Sequence, residues 1–174
     1  ADYPALELAN YMFGGGGLKS RLMDRIRQKD GLSYGGGSDL RPGSLDRAGS
    51  FSVAAIAAPQ NLKKLEAAIR EELDRVLKDG FTEAELVNAK SGLLQMRQQT
   101  RAKDPALAGG WARNLYLGRT FSWSKEFEAK LNAATLAQVN AAFRKAVDPA
   151  KLSVAMSGDE AKAGAPAAAP AAAK

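Results

Sequence analysis

Leu6, Leu8, Ala9, Met12 and Phe13 recur at largely helical spacing near the start of the chain. Pro4 falls in the first turn of that helix, where its missing N–H would have no partner anyway. Gly14–Gly17 break the pattern. Leu18, Leu22 and Ile26 then share one stripe, so residues 18–29 are expected to form a second helix, stopped at Gly31. The period next shortens to two. Residues 32–40 read as a strand and 49–58 as another, with Phe51, Val53 and Ala55 alternating against Ser50, Ser52 and Ala54. The polar stretch 41–47 between them has hairpin character, which predicts an antiparallel pair.

The remainder is mostly helical. In 61–78, Leu62, Leu65, Ile69, Leu73, Val76 and Leu77 form a buried face, and Asp79-Gly80 ends the helix. Thr82-Glu83-Ala84-Glu85 is a capping box, opening a long helix to about Lys103. That helix stops before Asp104-Pro105, because the residue before proline disfavours helical angles. Further helices are expected over 106–117 and about 124–131. Thr135-Leu136-Ala137-Gln138 is a second capping box, and its helix ends near Asp148-Pro149. The alternation in 151–157 predicts a last short strand. This order gives an α+β fold, an antiparallel sheet with helices packed on one face. Three strands make a thin sheet and the chain opens on a helix, so the expectation is a fragment lacking its first strands. Residues 160–174 are Ala/Pro-rich and too poor in apolar bulk to fold. The expected division is a domain over 1–159 and a disordered tail.

Composition narrows the chemistry sharply. The 174 residues include no histidine and no cysteine. That excludes a Ser-His-Asp or Cys-His triad, a Cys/His zinc site, a disulfide and a thiol nucleophile within this chain. There is no apolar run of the length needed to span a bilayer. The net charge of +6 permits nucleic-acid binding, but basic residues are interspersed with acids along the chain and read as a solvated surface. No nucleic-acid partner is expected.

Three features could carry function. Gly14-Gly15-Gly16-Gly17-Leu18-Lys19-Ser20 suggests a phosphate cradle, but Leu18 separates glycine from lysine, and a helix precedes it where a P-loop has a strand. A connector between helices and a mobile loop bordering a substrate channel both remain open. Arg27, in the last turn of a helix, and Tyr34, on the next strand, lie across a glycine turn that can bring them to one side of the junction. Arginine offers a fork of donors to carbonyls, and tyrosine a hydroxyl to a developing oxyanion. Spacing alone equally allows a helix C-terminal cation and a half-buried strand tyrosine. Finally, Glu66, Glu71, Glu72, Asp74, Glu83 and Glu85 match the polar faces and N-termini of helices, and read as solvated.

The segment from Asp2 to Ser38, DYPALELANYMFGGGGLKSRLMDRIRQKDGLSYGGGS, resembles the C-terminal half of zinc metallopeptidases of the insulinase/pitrilysin family (M16). The elements that carry the likeness are the Ala-Leu-Glu-Leu-Ala-Asn helix, the glycine run, Ser20-Arg21-Leu22, Ile26-Arg27 and Gly31-Leu32-Ser33-Tyr34. It continues more loosely through Phe81–Leu86 and Ala89-Lys90 to about Gly158.

The resemblance implies two similar halves closing around a peptide substrate, fused in some members and separate subunits in others. The other half would carry His-x-x-Glu-His and the zinc, whose bound water attacks the scissile carbonyl. This chain would bind no metal and be inactive alone, acting as an accessory substrate-binding domain. Its Arg27 and Tyr34 match a family pair reaching into the chamber, Arg27 to bind or orient the substrate backbone and Tyr34 to stabilise the oxyanion. Gly14, Gly15, Gly16 and Gly17 sit where the non-catalytic subunit of mitochondrial processing peptidase has a longer substrate loop. A soluble periplasmic enzyme is expected. The alternative is a catalytically inactive structural homologue, in which Arg27 and Tyr34 simply pack.

Overall fold

A computed structural model describes residues 2–46 and 48–159. The Ala/Pro-rich stretch expected to be disordered lies outside the described residues. Helix α1, Tyr3–Asn10, has Pro4 in its first turn and does not stop at the glycines. It widens into a π-helical turn, Tyr11–Gly15, followed by a 3-10 turn, Gly17–Lys19. The second expected helix is likewise composite: a short α2, Arg21–Met23, passes into a π-helical stretch, Asp24–Lys29. Gly31 then turns the chain at φ +61°, a conformation that costs most other residues strain.

Strands β1 (Ser33–Pro42) and β2 (Gly49–Ala57) pair antiparallel as a two-stranded sheet. Phe51, Val53, Ala55 and Ala57 are half-buried, while Ser50, Ser52, Ala54 and Ile56 are exposed. The sheet thus has one covered and one open face. Then come α3 (Leu62–Asp79), α4 (Glu83–Arg101), α5 (Asp104–Tyr116), α6 (Phe121–Ala133) and α7 (Leu136–Ala146). Both capping boxes form as the sequence predicts, at Thr82/Glu85 and Thr135/Gln138.

The core lies between the covered sheet face and the helices. Phe13 and Phe51 meet at 5.9 Å between ring centres, Phe51 and Phe143 at 5.8 Å, and Phe81 and Phe143 at 5.6 Å. Leu8, Leu22, Ile26, Leu131 and Val139 are fully buried around them. In α3 the predicted stripe is buried at Leu65, Leu73 and Val76 and half-buried at Leu62, Ile69 and Leu77.

One expected element is absent among the described residues. Residues 152–157 form no strand and follow a 3-10 turn at Pro149–Lys151. Leu152 packs against the core, but Val154 and Met156 are about half exposed. Their alternation is real, yet a strand also needs a neighbouring backbone to bond, and among the described residues none pairs with this segment.

Candidate functional site

Arg27 is carried by the π-helical stretch and Tyr34 by the first turn of pairing in β1. The chain between them is short and closed: the Leu32 N–H donates to the Ile26 carbonyl at 2.8 Å, folding the strand back against the helix that precedes it. Arg27 Nη1 donates to the Tyr34 carbonyl oxygen at 3.0 Å. The two residues singled out by spacing are therefore brought together, through the guanidinium and the tyrosine backbone. A guanidinium has five N–H donors, so donors remain beyond this bond.

Tyr34 is not the half-buried strand tyrosine that spacing alone allowed. Its exposure is 72%, and the cause is a bulge. Ser33 pairs with Ala57 and Gly35 pairs with Ile56, leaving Tyr34 as an extra residue with no partner. Beyond it, Ser38 pairs with Val53 and Leu40 with Phe51, both on the covered side. Strict alternation from Ser38 and Leu40 would put Tyr34 on that covered side too. The extra residue breaks the parity and turns the ring to the open face, where Ile56 is 61% exposed.

The neighbouring charges on this helix are paired, within the segment and across to α3. Lys29 pairs with Asp24 at 2.6 Å, and Arg25 Nη2 with Glu71 at 2.8 Å. Arg25 Nε lies 2.8 Å from Asp30 Oδ2; this is a charge contact, for the angle is not that of a hydrogen bond. These pairs fix the helix that presents Arg27.

The glycine run is packed at its Gly14 end. Gly14 is buried, and a Cβ there would stand 2.6 Å from both the N and the Oγ of Ser38. Ser38 Oγ donates to Asn10 Oδ1 at 2.7 Å, so α1, the run and β1 are joined at one point. Gly17 differs: its φ is +68° and nothing lies within 4 Å of its would-be Cβ. Gly16, with Tyr11, Lys19, Asn88 and Gln95, lines a cleft of about 580 Å³ against α4.

The acidic residues are less uniformly solvated than their pattern implied. Glu72 is buried, and burial pushes its carboxyl above the usual range against the opposing pull of Arg75 and Arg21. It bonds Arg75 at 2.8 Å. Glu85 is half-buried and bound to Arg21. Ser33 and Asn10 lie within the segments that carry the family likeness, but the sequence reading gave neither a role. A single serine or asparagine in a strand or helix carries no periodic signal.

Among the described residues no cluster of three or more His, Cys, Asp or Glu could hold a metal. With no imidazole and no thiolate in the chain, the donors do not fit zinc. No described helix is long and apolar enough to cross a membrane. What the pair can do is polar recognition. The guanidinium suits carbonyl and carboxylate oxygens, and the exposed phenol can donate to an oxyanion.

Residues 1–93 match the family described as the peptidase M16 inactive domain. Over 79 residues the chain is 37% identical to an uncharacterized zinc protease of Mycobacterium tuberculosis, covering 45% of this chain and 18% of that protein. Its fold is similar to the crystal structure of a peptidase M16 inactive domain from Pseudomonas fluorescens, with a TM-score of 0.74 and 27% identity over 85% of this chain and 35% of that one. A protease from Helicobacter pylori shares the fold at a TM-score of 0.69 and 18% identity, covering 83% of this chain and 34% of that one. The chain therefore spans less than a fifth of the curated relative and about a third of these solved chains.

Proposed function

The chain belongs to the peptidase M16 inactive-domain family, and from that premise we propose that it is the accessory, substrate-binding domain of a zinc-dependent metalloendopeptidase. The zinc-bearing half is another domain or another subunit. Arg27 binds and orients the substrate backbone through the donors not given to Tyr34. Tyr34 donates its phenolic proton to the carbonyl oxygen of the scissile bond as negative charge develops there. Such a bond strengthens toward the transition state, which is what raises kcat rather than affinity alone. Of the four glycines expected to form a substrate loop, Gly14 is buried against Ser38 and faces no substrate; Gly15–Gly17 border the channel along which the peptide lies. The proposal includes the periplasm as the compartment, as the resemblance implies.

The observation that supports this reading most is the joint presentation of the pair. A bulge in β1 turns Tyr34 outward, and Arg27 stands 3.0 Å from its carbonyl. A scaffold has no need to extrude a tyrosine from a half-covered sheet.

The test is the peptidase assembled with its zinc-bearing half. Tyr34→Phe should lower kcat by about 10–1000-fold, as loss of an oxyanion donor does, with zinc content unchanged. A wild-type rate in that variant would overturn the assignment of Tyr34 as the oxyanion donor.

A further inference from the structure

We propose that Ser33 is the positioning residue that holds the β1 bulge open and so presents Tyr34; this rests on the catalytic reading of Tyr34 given above. Ser33 is buried, at 6% exposure, immediately before the extra residue. Its hydroxyl lies at the point where the ladder slips. Ser33 Oγ is 2.6 Å from the Ile56 carbonyl oxygen on β2 and 2.7 Å from the Gly35 carbonyl oxygen on its own strand. Its one proton serves these two acceptors, and its lone pair accepts the Gly35 N–H at 3.2 Å.

Gly35 and Ile56 are the partners that close the bulge. The serine therefore bonds the carbonyl of one and the N–H of the other, replacing ladder bonds that the extra residue displaces. A buried polar group left unpaired is costly. Without the hydroxyl, the two strands recover their backbone bonds only by straightening the register. A straight register returns Tyr34 to the parity of Ser38 and Leu40, toward the covered face. Arg27, holding the Tyr34 carbonyl, completes the clamp, but that bond reaches β1 alone, whereas the Ser33 hydroxyl bonds both strands.

Two readouts separate this inference from the reading it rests on. In this chain, nitration of Tyr34 by tetranitromethane, mapped by mass spectrometry, should fall roughly fivefold in Ser33→Ala and be restored in Ser33→Thr, which keeps the hydroxyl. In the assembled peptidase, Ser33→Ala should lower kcat roughly 10-fold with KM little changed. Unchanged nitration in a folded Ser33→Ala overturns the proposal. A normal rate in Tyr34→Phe alongside reduced nitration in Ser33→Ala would overturn the catalytic reading and leave the positioning intact. Should Ser33→Ala fail to fold, hydrogen exchange at the Gly35 amide of the wild-type chain decides. Protection is expected, and exchange at the rate of a free amide overturns the proposal.

Discussion

Arg21 and Glu85 lie 64 positions apart and meet in a two-armed ion pair, Nε 2.5 Å from Oε1 and Nη2 2.7 Å from Oε2. The same carboxylate accepts the Thr82 N–H at 2.8 Å, so it caps α4 while anchoring the helical segment that leads to Arg27. The Arg21 guanidinium also sits 5.2 Å above the Phe81 ring, a favourable placement of a cation on a π face.

Burial pushes the Glu85 carboxyl up, but the bonds from Arg21 and Thr82 outweigh it and hold the group below its ordinary value of 4.5. A depressed carboxylate contributes stability above its unfolded value and loses it as pH falls through the folded one. Glu85→Gln should therefore be less stable than wild type by about 1.5–3 kcal/mol at pH 7. The gap should narrow as pH falls below about 4.5. Urea denaturation of both proteins across that range checks it, and a gap independent of pH would show that charge is not its source. The comparison must be with the variant. Glu72, raised by burial, contributes in the opposite direction, favouring the fold at low pH and losing that as pH rises.

Tyr3 predicts an effect at the alkaline end. Its ring packs 4.9 Å from Phe127, and burial first, then the charge of Glu7, pushes its hydroxyl from 10.0 up to about 12. The folded chain thus keeps a proton that the unfolded chain loses. This contribution is present below about pH 10 and disappears as pH rises toward 12. Phenolate absorbance in an alkaline titration should show a late step that Tyr3→Phe removes. If the variant keeps that step, the buried phenol is not its origin.

Much of the fold was legible because its signals are local. The Thr82 and Thr135 boxes each set a helix start, and the period-two run Phe51–Ala55 set β2. What stayed hidden depends on partners. Val154 and Met156 alternate like strand residues, but only a bonded neighbour makes a strand, and the spacing of Leu152, Val154 and Met156 cannot report one. Glu72 sat on a nominally polar face of α3, yet the π-helical stretch carrying Arg25 lies against that helix and closes over it. At the site, the Arg27–Tyr34 spacing was visible, whereas the bulge that exposes the ring was not. It arises from Ser33 and from the mismatch between two strands, which no single strand displays.

Arg27 separates charge from shape. The Tyr34 carbonyl takes one donor, and in the proposed function a substrate oxygen takes another held in fixed relation to it. Lysine supplies charge on a flexible stem without the planar fork. In the assembled peptidase, Arg27→Lys should raise KM by roughly 10-fold, the loss of about one well-oriented hydrogen bond. Arg27→Ala should raise it further. Steady-state kinetics of the three forms checks this; a lysine variant equal to wild type would reduce the role of Arg27 to charge.

The glycine run makes two opposite claims on its members, and substitution distinguishes them. At Gly14 a Cβ would press to 2.6 Å on the backbone N of Ser38, in the strand that carries Tyr34. Backbone cannot yield as a side-chain end can, so Gly14→Ala should destabilise by about 1–3 kcal/mol through overpacking. At Gly17 the space is open and only the φ of +68° resists. There alanine costs about 1–2 kcal/mol, and asparagine, which tolerates left-handed angles, should recover most of that. Thermal melts of Gly14→Ala, Gly17→Ala and Gly17→Asn give the stability arm, and peptide turnover in the assembled peptidase gives the other. If Gly17→Asn restores stability yet slows turnover, the outer glycines act on substrate. If stability and turnover recover together, the run serves to join α1 to β1, and its bearing on catalysis passes through Ser38 to the strand that holds Tyr34.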